Sequence, residues 1–474
     1  MSWESVIGLE VHVQLNTETK IFCSCKNEFG AEPNTNVCPV CLGFPGVLPV
    51  FNKRVLEYAI KVGLALNCKI AGYTKFDRKN YFYPDLPKAY QISQYDMPIC
   101  ESGYLKIEVN GTLKRIGIKR VHMEEDAGKL IHEKDYSLVD YNRAGVPLLE
   151  IVSEPDLRSP DEAYEYLTEL KQIVRYLGVS DCDMEKGSLR CDANVSVRRK
   201  GEVGFGTKTE IKNLNSFKGV RSALEYEIKR QIKLLEAGES VIQETRLWSA
   251  ERQITIPMRS KEEAHDYRYF PEPDLLPIEV SLDMINDIRK ELPEMPRERR
   301  HRLVREYGIT DYDAKVICLE RDFADYFESC AKVCKSPKRC ANLMITILSE
   351  KLNDLGISVS QLNVSPNSLA ELVDLWEEGK INNLVVKQVL EEMIATGKSA
   401  KDIVEEKGLA QVSDEGELER FAKEAIEKNP KVVQDYRSGK KNAVMFLVGQ
   451  VMKATRGKAN PQKVRELLER LLED

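Results

Sequence analysis

The stretch VIGLEVHVQL, Val6 to Leu15, decides how the front of this chain folds. Ile7, Leu9, Val11, Val13 and Leu15 alternate with Gly8, Glu10, His12 and Gln14. A period of two puts the first set on one face of a strand and the second set on the other. The apolar set predicts a buried face, with Leu9 and Val11 behind the polar one. Taken alone, the polar face is ordinary, because an antiparallel sheet often leaves one side in water. It becomes the floor of a site only if neighbouring strands add chemistry to it.

Four further segments offer that chemistry. KRVHMEEDAGKL (119–130) carries Glu124, Glu125 and Asp126, with Glu125 in step with Val121 and Met123. VPLLEIVSEPD (146–156) carries Glu150, in step with Leu148 and Val152. SLRCDANVSV (188–197) sets Asp192 with Arg190, Asn194 and Ser196, opposite Leu189, Cys191, Ala193 and Val195. KTEIKNLNSF (208–217) sets Glu210 with Lys208 and Lys212. A carboxylate inside an apolar strand is costly unless it is paired or bound to a cation. One such residue is a satisfied core acid. Glu10, Glu125, Glu150, Asp192 and Glu210 together, with His12, point to a cation among them. Hard oxygen ligands on several strands suit Mg²⁺, which in turn suits a phosphorylated substrate. A strand histidine is more often a hydrogen-bonding group than a ligand, so His12 stays open between the two roles.

Bulk composition narrows the class. The 474 residues are 42% hydrophobic and 31% charged with a net charge of −6. That is an ordinary globular chain of two to four domains, whose basic surfaces must be local. MSWESVIGLE lacks the basic and apolar regions of a secretory leader, and no apolar run nears the ~18 residues of a membrane helix. Twelve cysteines without a leader point to a reducing cytoplasm, where close pairs mean metal more often than disulfide. Cys23-Ser-Cys25 and Cys38-Pro-Val-Cys41, twelve residues apart, fit a tetrahedral zinc staple with every position filled by protein. Cys318, Cys330, Cys334 and Cys340 are irregularly spaced on helical pattern and read as small core hydrophobes.

Asn110-Gly111, between YLKIEV and TLKRIGIKRV, marks a hairpin. SPDEAYEYLTELKQIVRYLG (159–178) has the start and stop of a helix. ELPEMPRERR (291–300) is a proline-punctuated linker, after which the pattern turns helical, with a second shift near 400–415. The expected layout is a mixed α/β front at 1–292, a helical domain at 293–405 and a small helical tail at 406–474. RKNYFYPDLPKAYQISQY (78–95) interleaves Arg78, Lys79 and Lys88 with Tyr81, Tyr83, Tyr90 and Tyr95. It reads either as a stacking or passage-lining surface or as a tyrosine-rich structural loop. Between Lys431 and Lys463 there are eight basic residues against one acid, Asp435. That stretch is either a solvated face or a phosphate-backbone footprint. GEVGFGTKT (201–209) lacks the Gly-Lys-Ser/Thr of a phosphate loop, and no cysteine sits in a nucleophile motif of a glutamine-hydrolysing centre.

LVDYNRAGVPLLEIVSEPD (138–156) resembles a signature of the B subunits of tRNA-dependent aspartyl/glutamyl amidotransferases. So do VIGLEVHVQL, NVCPVCLGFPGVLPV, RKNYFYPDLPKAYQISQ, HMEEDAGK, EKGSLRCDANVSVR, TEIKNLNSF, DYRYFPEPDL and LVGQVMKATRGKANP, from the first strand to the last helix. The resemblance implies an α+β cradle around a glutamine-synthetase-like antiparallel sheet, then an all-helical domain and a tail domain that grips tRNA. It implies a cytoplasmic heterotrimer with an amidase (A) subunit that supplies ammonia and a small C subunit. It implies ATP- and Mg²⁺-dependent phosphorylation of the side-chain carboxylate of Glu or Asp mischarged onto tRNA(Gln) or tRNA(Asn), followed by amidation. Under it, Glu10, His12, Glu125, Glu150, Asp192 and Glu210 are the expected catalytic and magnesium set. Lys79, Tyr81, Tyr83 and Lys88 would line the ammonia or amino-acid path. Arg246, Arg259, Asp266 and Arg268 would meet ATP or the acyl-tRNA end. Lys440, Lys441, Lys453, Arg456 and Lys458 would meet tRNA. Family members do not all keep the four cysteines; this chain does, so Zn²⁺ is expected at Cys23, Cys25, Cys38 and Cys41. Two rivals stand beside this reading: a zinc-stapled tRNA-binding scaffold without its own chemistry, and an amide ligase acting on free glutamate.

Overall fold

A computed structural model describes residues 2–260, 267–409, 415–455 and 459–473. The chain divides into two compact units, Met1–Met295 and Pro296–Asp474. The first is built on a nine-stranded sheet. In chain order its strands are β1 (Trp3–Gln14), β2 (Lys69–Ile70), β3 (Cys100–Val109), β4 (Thr112–Glu125), β5 (Pro147–Ser153), β6 (Leu189–Arg199), β7 (Thr209–Leu214), β8 (Glu244–Ser249) and β9 (Ile254–Ser260). Their spatial order is 9-8-7-6-1-5-4-3-2, which puts the opening stretch of the sequence at the centre. The β3–β4 hairpin turns at Asn110 and Gly111, both at positive φ, where the sequence places its turn.

The sheet is mixed rather than wholly antiparallel as expected. β7 and β8 run parallel, pairing Glu210 with Thr245 and Lys212 with Leu247. The connection between them holds a twenty-residue helix, α3 (Phe217–Glu236). A crossover of that length returns the chain in the same direction. Helices α1 (Lys53–Ala65) and α2 (Pro160–Tyr176) join α3 in packing against the sheet. α2 starts at Ser159, whose hydroxyl accepts from the Glu162 amide, and stops before Gly178 at φ 69°.

Alternation in β1 fixes which face the helices cover. Ile7, Leu9, Val11 and Val13 enter one core with Val121 and Met123 of β4, Leu149 and Ile151 of β5, and Cys191, Ala193 and Val195 of β6. Tyr166, Leu167 and Leu170 of α2 and Val220, Ala223 and Leu224 of α3 close it. Burying a large apolar side chain of this kind contributes about 1.5–3 kcal/mol, so a one-residue slip of β1 would invert the whole face and is strongly disfavoured. The even-numbered residues of β1 are thereby presented on the uncovered face.

The second unit is helical and carries two separate apolar cores. One gathers Leu303 through Val404, the other Leu418 through Leu472. Among the described residues, no helix is long and apolar enough to cross a membrane.

Candidate active site

Register across the central strands assembles the polar face. Glu10 stands opposite Asp192 of β6 and Val152 of β5, and His12 opposite Arg190 and Glu150. Glu150 in turn stands opposite His122 of β4. Residues in step along each strand share a face, so Arg120, His122 and Glu124 of β4 line up beside Glu150 and His12. Glu150 Oε2 lies 3.3 Å from His12 Nε2 and 3.4 Å from His122 Nε2. Glu124 lies 3.8 Å from His12 and 3.7 Å from His122. Ser93 donates its hydroxyl to Glu124 at 3.1 Å.

These four groups set one another's charge. Burial pushes both histidines down, but Glu150 and Glu124 outweigh it, and His122 rises to about 9 with His12 raised as well. Burial opposes ionisation of Glu150, but His122 and His12 hold its carboxyl well below the usual range. Glu124 is held low against burial chiefly by its hydrogen bond with His122. Each carboxylate thus favours the protonated histidines and each histidine the ionised carboxylates, on one surface.

A second group continues the same face toward β7. Asn194 Nδ2 donates to Glu10 at 2.9 Å. Lys212 Nζ sits 2.6 Å from Asp192 and 3.5 Å from Glu210, and Thr245 donates to Glu210 at 2.9 Å. A lysine ammonium therefore stands between two of the expected magnesium ligands. At the other end Asp126 takes Gln14 at 2.7 Å and Arg190 at 3.0 Å. Beside Glu10 a cavity of about 420 Å³ opens, lined by Gly8, Glu154, Asn194, Ser196, Phe205 and Lys208 among others.

Of the acids expected in one constellation, Glu125 stands apart. It follows Glu124 in the strand and so points to the opposite face, where Lys88 Nζ meets Oε2 at 2.6 Å and the Ile92 amide donates to Oε1 at 2.8 Å. Lys88 and Glu125 line a cavity with Cys23, Cys41 and Gly43, away from His12 and Glu150. His122 and Glu124 are the residues that sequence reasoning missed. The signal was present, since His122 alternates with Glu124 in HMEE, but the step between two adjacent glutamates decides the face and only register resolves it.

The tyrosine segment forms a wall around Lys79. Asp77–Asn80 pairs with Tyr90–Ser93 and with Phe270–Pro271. Lys79 Nζ lies 4.9 Å from the Tyr267 ring and 5.6 Å from that of Tyr81, and these two rings meet edge-on at 5.7 Å. Tyr95 stacks on Tyr269 at 4.2 Å. Burial works against the Lys79 charge, yet Glu124, Tyr269, Tyr81 and Glu150 together outweigh it and hold the ammonium protonated. Tyr83 is half exposed and outside this wall. Arg268 is exposed at φ 45°, its carbonyl taken by Asn80.

Arg246 is buried on the helix-covered side of the sheet edge. Its guanidinium donates to Thr255 Oγ1 and O at 2.9 and 2.8 Å and sits 3.5 Å from Glu227 of α3. That environment is a structural clamp rather than a ligand surface. Arg259 lies on β9, paired with Thr245. Asp266, Arg456 and Lys458 lie outside the described residues. Lys440 and Lys441 are exposed in the second unit, the first 2.9 Å from Asp435, the second over the Tyr436 ring at 4.3 Å. Lys453 is exposed in the last turn of its helix.

Sulfur atoms of Cys23, Cys25, Cys38 and Cys41 lie within 4.8 Å of one another. The Cys38 amide donates to Cys41 Sγ at 3.2 Å. The Lys20 side chain is fully buried beside them, with Nζ 3.7 Å from Cys41 Sγ and 3.4 Å from the Tyr141 carbonyl. A buried ammonium needs an anion, and a zinc tetrathiolate supplies one. Hydrogen bonding from Cys23 brings Cys41 down to about 4, with the nearby Lys20 ammonium adding to it. The donor set, its spacing and the buried lysine all fit Zn²⁺.

Comparison with known proteins now decides the family. A family model described as the GatB/GatE catalytic domain matches residues 5–286, and one described as the GatB domain matches 325–472. The chain belongs to the family of amidotransferase B subunits. It is 60% identical over 469 residues, 99% of each chain, to the B subunit of the aspartyl/glutamyl-tRNA(Asn/Gln) amidotransferase of Caldanaerobacter subterraneus subsp. tengcongensis. It is 59% identical over 471 residues, 98% of each chain, to that of Carboxydothermus hydrogenoformans. It is 57% identical over 475 residues, the full length of both, to that of Thermodesulfovibrio yellowstonii. These family members are carbon–nitrogen ligase subunits, and the polar face lies inside the part matched by the catalytic-domain model.

Proposed function

We propose that this chain activates the side-chain carboxylate of Glu or Asp carried on tRNA(Gln) or tRNA(Asn), using ATP, and then amidates it with ammonia. The observation that carries the reading is on the polar face. His122 Nδ1, Arg120 Nε and Asn194 Oδ1 are buried there without a hydrogen-bond partner among the described residues. Buried polar atoms are nearly always satisfied, so three unmatched ones on one face are groups built to meet a ligand. Their mixture of donor and acceptor suits an anionic substrate with polar edges. The cradle shape and the glutamine-synthetase likeness of the sheet belong to this reading too.

The chemistry accounts for the residue types. A carboxylate loses oxide poorly. The γ-phosphoryl group of ATP is transferred to a substrate carboxylate oxygen, breaking its bond to the β-phosphate oxygen and releasing ADP. Ammonia then attacks the acyl carbon, and phosphate and one proton leave. Arg120 and Lys79 hold the anions near each other, which lowers the repulsion between them. His12 and His122 fix the carboxylates of Glu124 and Glu150. Mg²⁺, held by carboxylates of this face, would neutralise phosphoryl charge during transfer. Glu124 and Glu150 with His12 form the one group of this face, among the described residues, whose ligand atoms converge within 4.8 Å, and Glu10, Asp192 and Glu210 extend it toward the cavity beside Glu10. That cavity is the place for the nucleotide. The tyrosine wall around Lys79 would line the ammonia path, from a partner amidase joined through a small C subunit. The exposed basic tail would meet the tRNA backbone.

Phosphate release from ATP with mischarged tRNA, measured with and without the partner subunits, tests this directly. The expected result is tRNA-dependent release that Glu150→Gln abolishes while tRNA binding persists. Undiminished amidation by Glu150→Gln in the reconstituted complex would leave the chain a tRNA-binding scaffold.

A further inference from the structure

The helical unit holds a second cysteine group: its members are buried in the apolar core, as their helical pattern predicts, and three of them also converge. Cys330 lies in the helix Arg321–Ala331, Cys334 in the turn after it, and Cys340 in the next helix, Pro337–Leu343. The tight reversal between the helices brings their three sulfurs within 4.8 Å of one another. The Cys340 thiol donates to Cys330 Sγ at 3.1 Å, and its sulfur lies 3.9 Å from Met344 Sδ. All four side chains are buried. Cys318 shares their apolar core but is not part of the group.

Hydrophobic packing alone does not produce this. Apolar contacts settle at about 3.5–4.0 Å even between carbon atoms, and the 3.1 Å sulfur pair is closer. A cation bonded to each sulfur at about 2.3 Å gathers three sulfurs within roughly 4 Å of each other. A second, independent feature lies at the same place. Residues Met344–Leu348 form a π-helical turn beginning at the thioether, and such turns are rare and concentrate at functional sites.

We infer that Cys330, Cys334 and Cys340 bind a soft, thiophilic cation of the monovalent copper class, with Met344 closing the shell. The donors are three thiolates and a thioether, the set that selects monovalent copper. A closed structural zinc site takes four ligands of the thiolate, imidazole or carboxylate kind, and among the described residues this group offers three. Binding releases the thiol protons and leaves the cation's oxidation state unchanged, so no oxidant or reductant enters. This site is distinct from the four-cysteine staple of the first unit and does not depend on the amidation reading.

The test uses the full chain, purified anaerobically under reducing conditions and saturated with Zn²⁺. Cu(I) is presented as its complex with a chromophoric competing chelator, and copper retained per chain is measured. Wild type is expected to retain one equivalent more than Cys334→Ala, since any exchange at the staple is common to both and cancels. Cys330→Ala/Cys340→Ala, with its fold checked by circular dichroism, provides the same difference if Cys334→Ala does not fold. Met344→Leu should keep the equivalent but give it up at lower chelator concentration. Equal copper retention by wild type and a folded variant overturns the inference. So does a Cys330–Cys340 disulfide in the reduced, anaerobically purified chain, and so does a site that takes Zn²⁺ in preference to Cu(I).

Discussion

Two adjacent glutamates give the sharpest test of the site's geometry. Glu124 and Glu125 close strand β4 and point to opposite faces. Glu124 meets His12, His122 and Ser93, whereas Glu125 meets Lys88 and the Ile92 amide. Glu→Gln at each removes one negative charge and little else. Glu125→Gln leaves Lys88, 11% exposed at its side chain, without its carboxylate. Breaking a buried pair by removing one partner costs about 3–5 kcal/mol. The glutamine oxygen still accepts from Ile92, so the lower figure applies. At about 2 °C per kcal/mol for a large domain, the melting temperature falls by roughly 6 °C. Glu124→Gln is gentler on the fold, because His122 can shed its proton and become neutral; about 1–2 kcal/mol is expected. Its effect on tRNA-dependent phosphate release should be the larger, a fall of about a hundredfold or more, the size of one electrostatic interaction removed from a transition state. The two variants are compared by thermal unfolding and by phosphate release in the reconstituted complex. The face assignment is refuted if Glu125→Gln, with its melting temperature unchanged, loses as much activity as Glu124→Gln.

Other expectations follow from the same geometry. Glu227 is fully buried and accepts from Arg230, Gln231 and Thr255. Burial pushes its carboxyl up, but those donors outweigh it and hold it below the usual range. Its contribution is therefore complete above the unfolded value of about 4.3 and lost as the pH falls below it. Glu227→Ala should cost about 3–5 kcal/mol in urea unfolding at pH 7 and much less at pH 3; an equal loss at both would contradict the clamp around Arg246. Removing Zn²⁺ with a strong chelator should unfold the segment between Thr17 and Asn52 before the sheet. Hydrogen exchange reads this, and unchanged protection there would remove zinc from the account. Gly43 sits at φ +69°, and a Cβ there would lie 2.3 Å from Lys88 Cγ. Gly43→Ala should displace Lys88 and lower phosphate release while one zinc per chain is retained. Full activity with an intact melting temperature would show that Lys88 has room to move.

The centre of the fold was legible because β1 is a strict two-residue alternation with no ambiguity of period. The same simplicity exposed Glu10, His12 and Asp192 as members of one face, since each alternates with the apolar residues of its own strand, whereas Glu150 stood in step with Leu148 and Val152 and joins that face through its pairing with His12. Parity failed to transfer across strands at HMEED, where two glutamates and an aspartate follow one another and only pairing with Leu148 and Pro147 shows which faces His12. Arg246 misled for a different reason. A charged residue in a strand reads as a ligand until the helix behind it is seen to carry Glu227, distant in sequence and close in space. The parallel β7–β8 pair was hidden in a connection whose length was visible but whose direction was not. The cysteines of 330–340 lost their signal to irregular spacing, because a helix–turn–helix brings together residues that no fixed interval predicts.

The last two residues of β4 also explain how a structural staple can serve a reaction it does not touch. Glu124 belongs to the polar face, and the next residue, Glu125, reaches through the end of the sheet to Lys88. Lys88 borders the cavity shared with Cys23, Cys41 and Gly43, and it begins the short path to Tyr90 and Gln91, whose side-chain amide donates to the Glu125 carbonyl at 2.7 Å. Tyr90–Ser93 in turn pairs with the strand that carries Lys79. One peptide unit therefore joins the four-cysteine cluster, the tyrosine wall and the carboxylate–histidine group. Close-packed elements transmit small displacements rather than absorbing them. A zinc staple fixing residues 20–49 would thus fix the height of Lys88, the register of the wall and, through the shared strand end, the position of Glu124. Zn²⁺ held by all four thiolates would leave no open position for substrate, and its contribution to the proposed reaction would be the rigidity of that path.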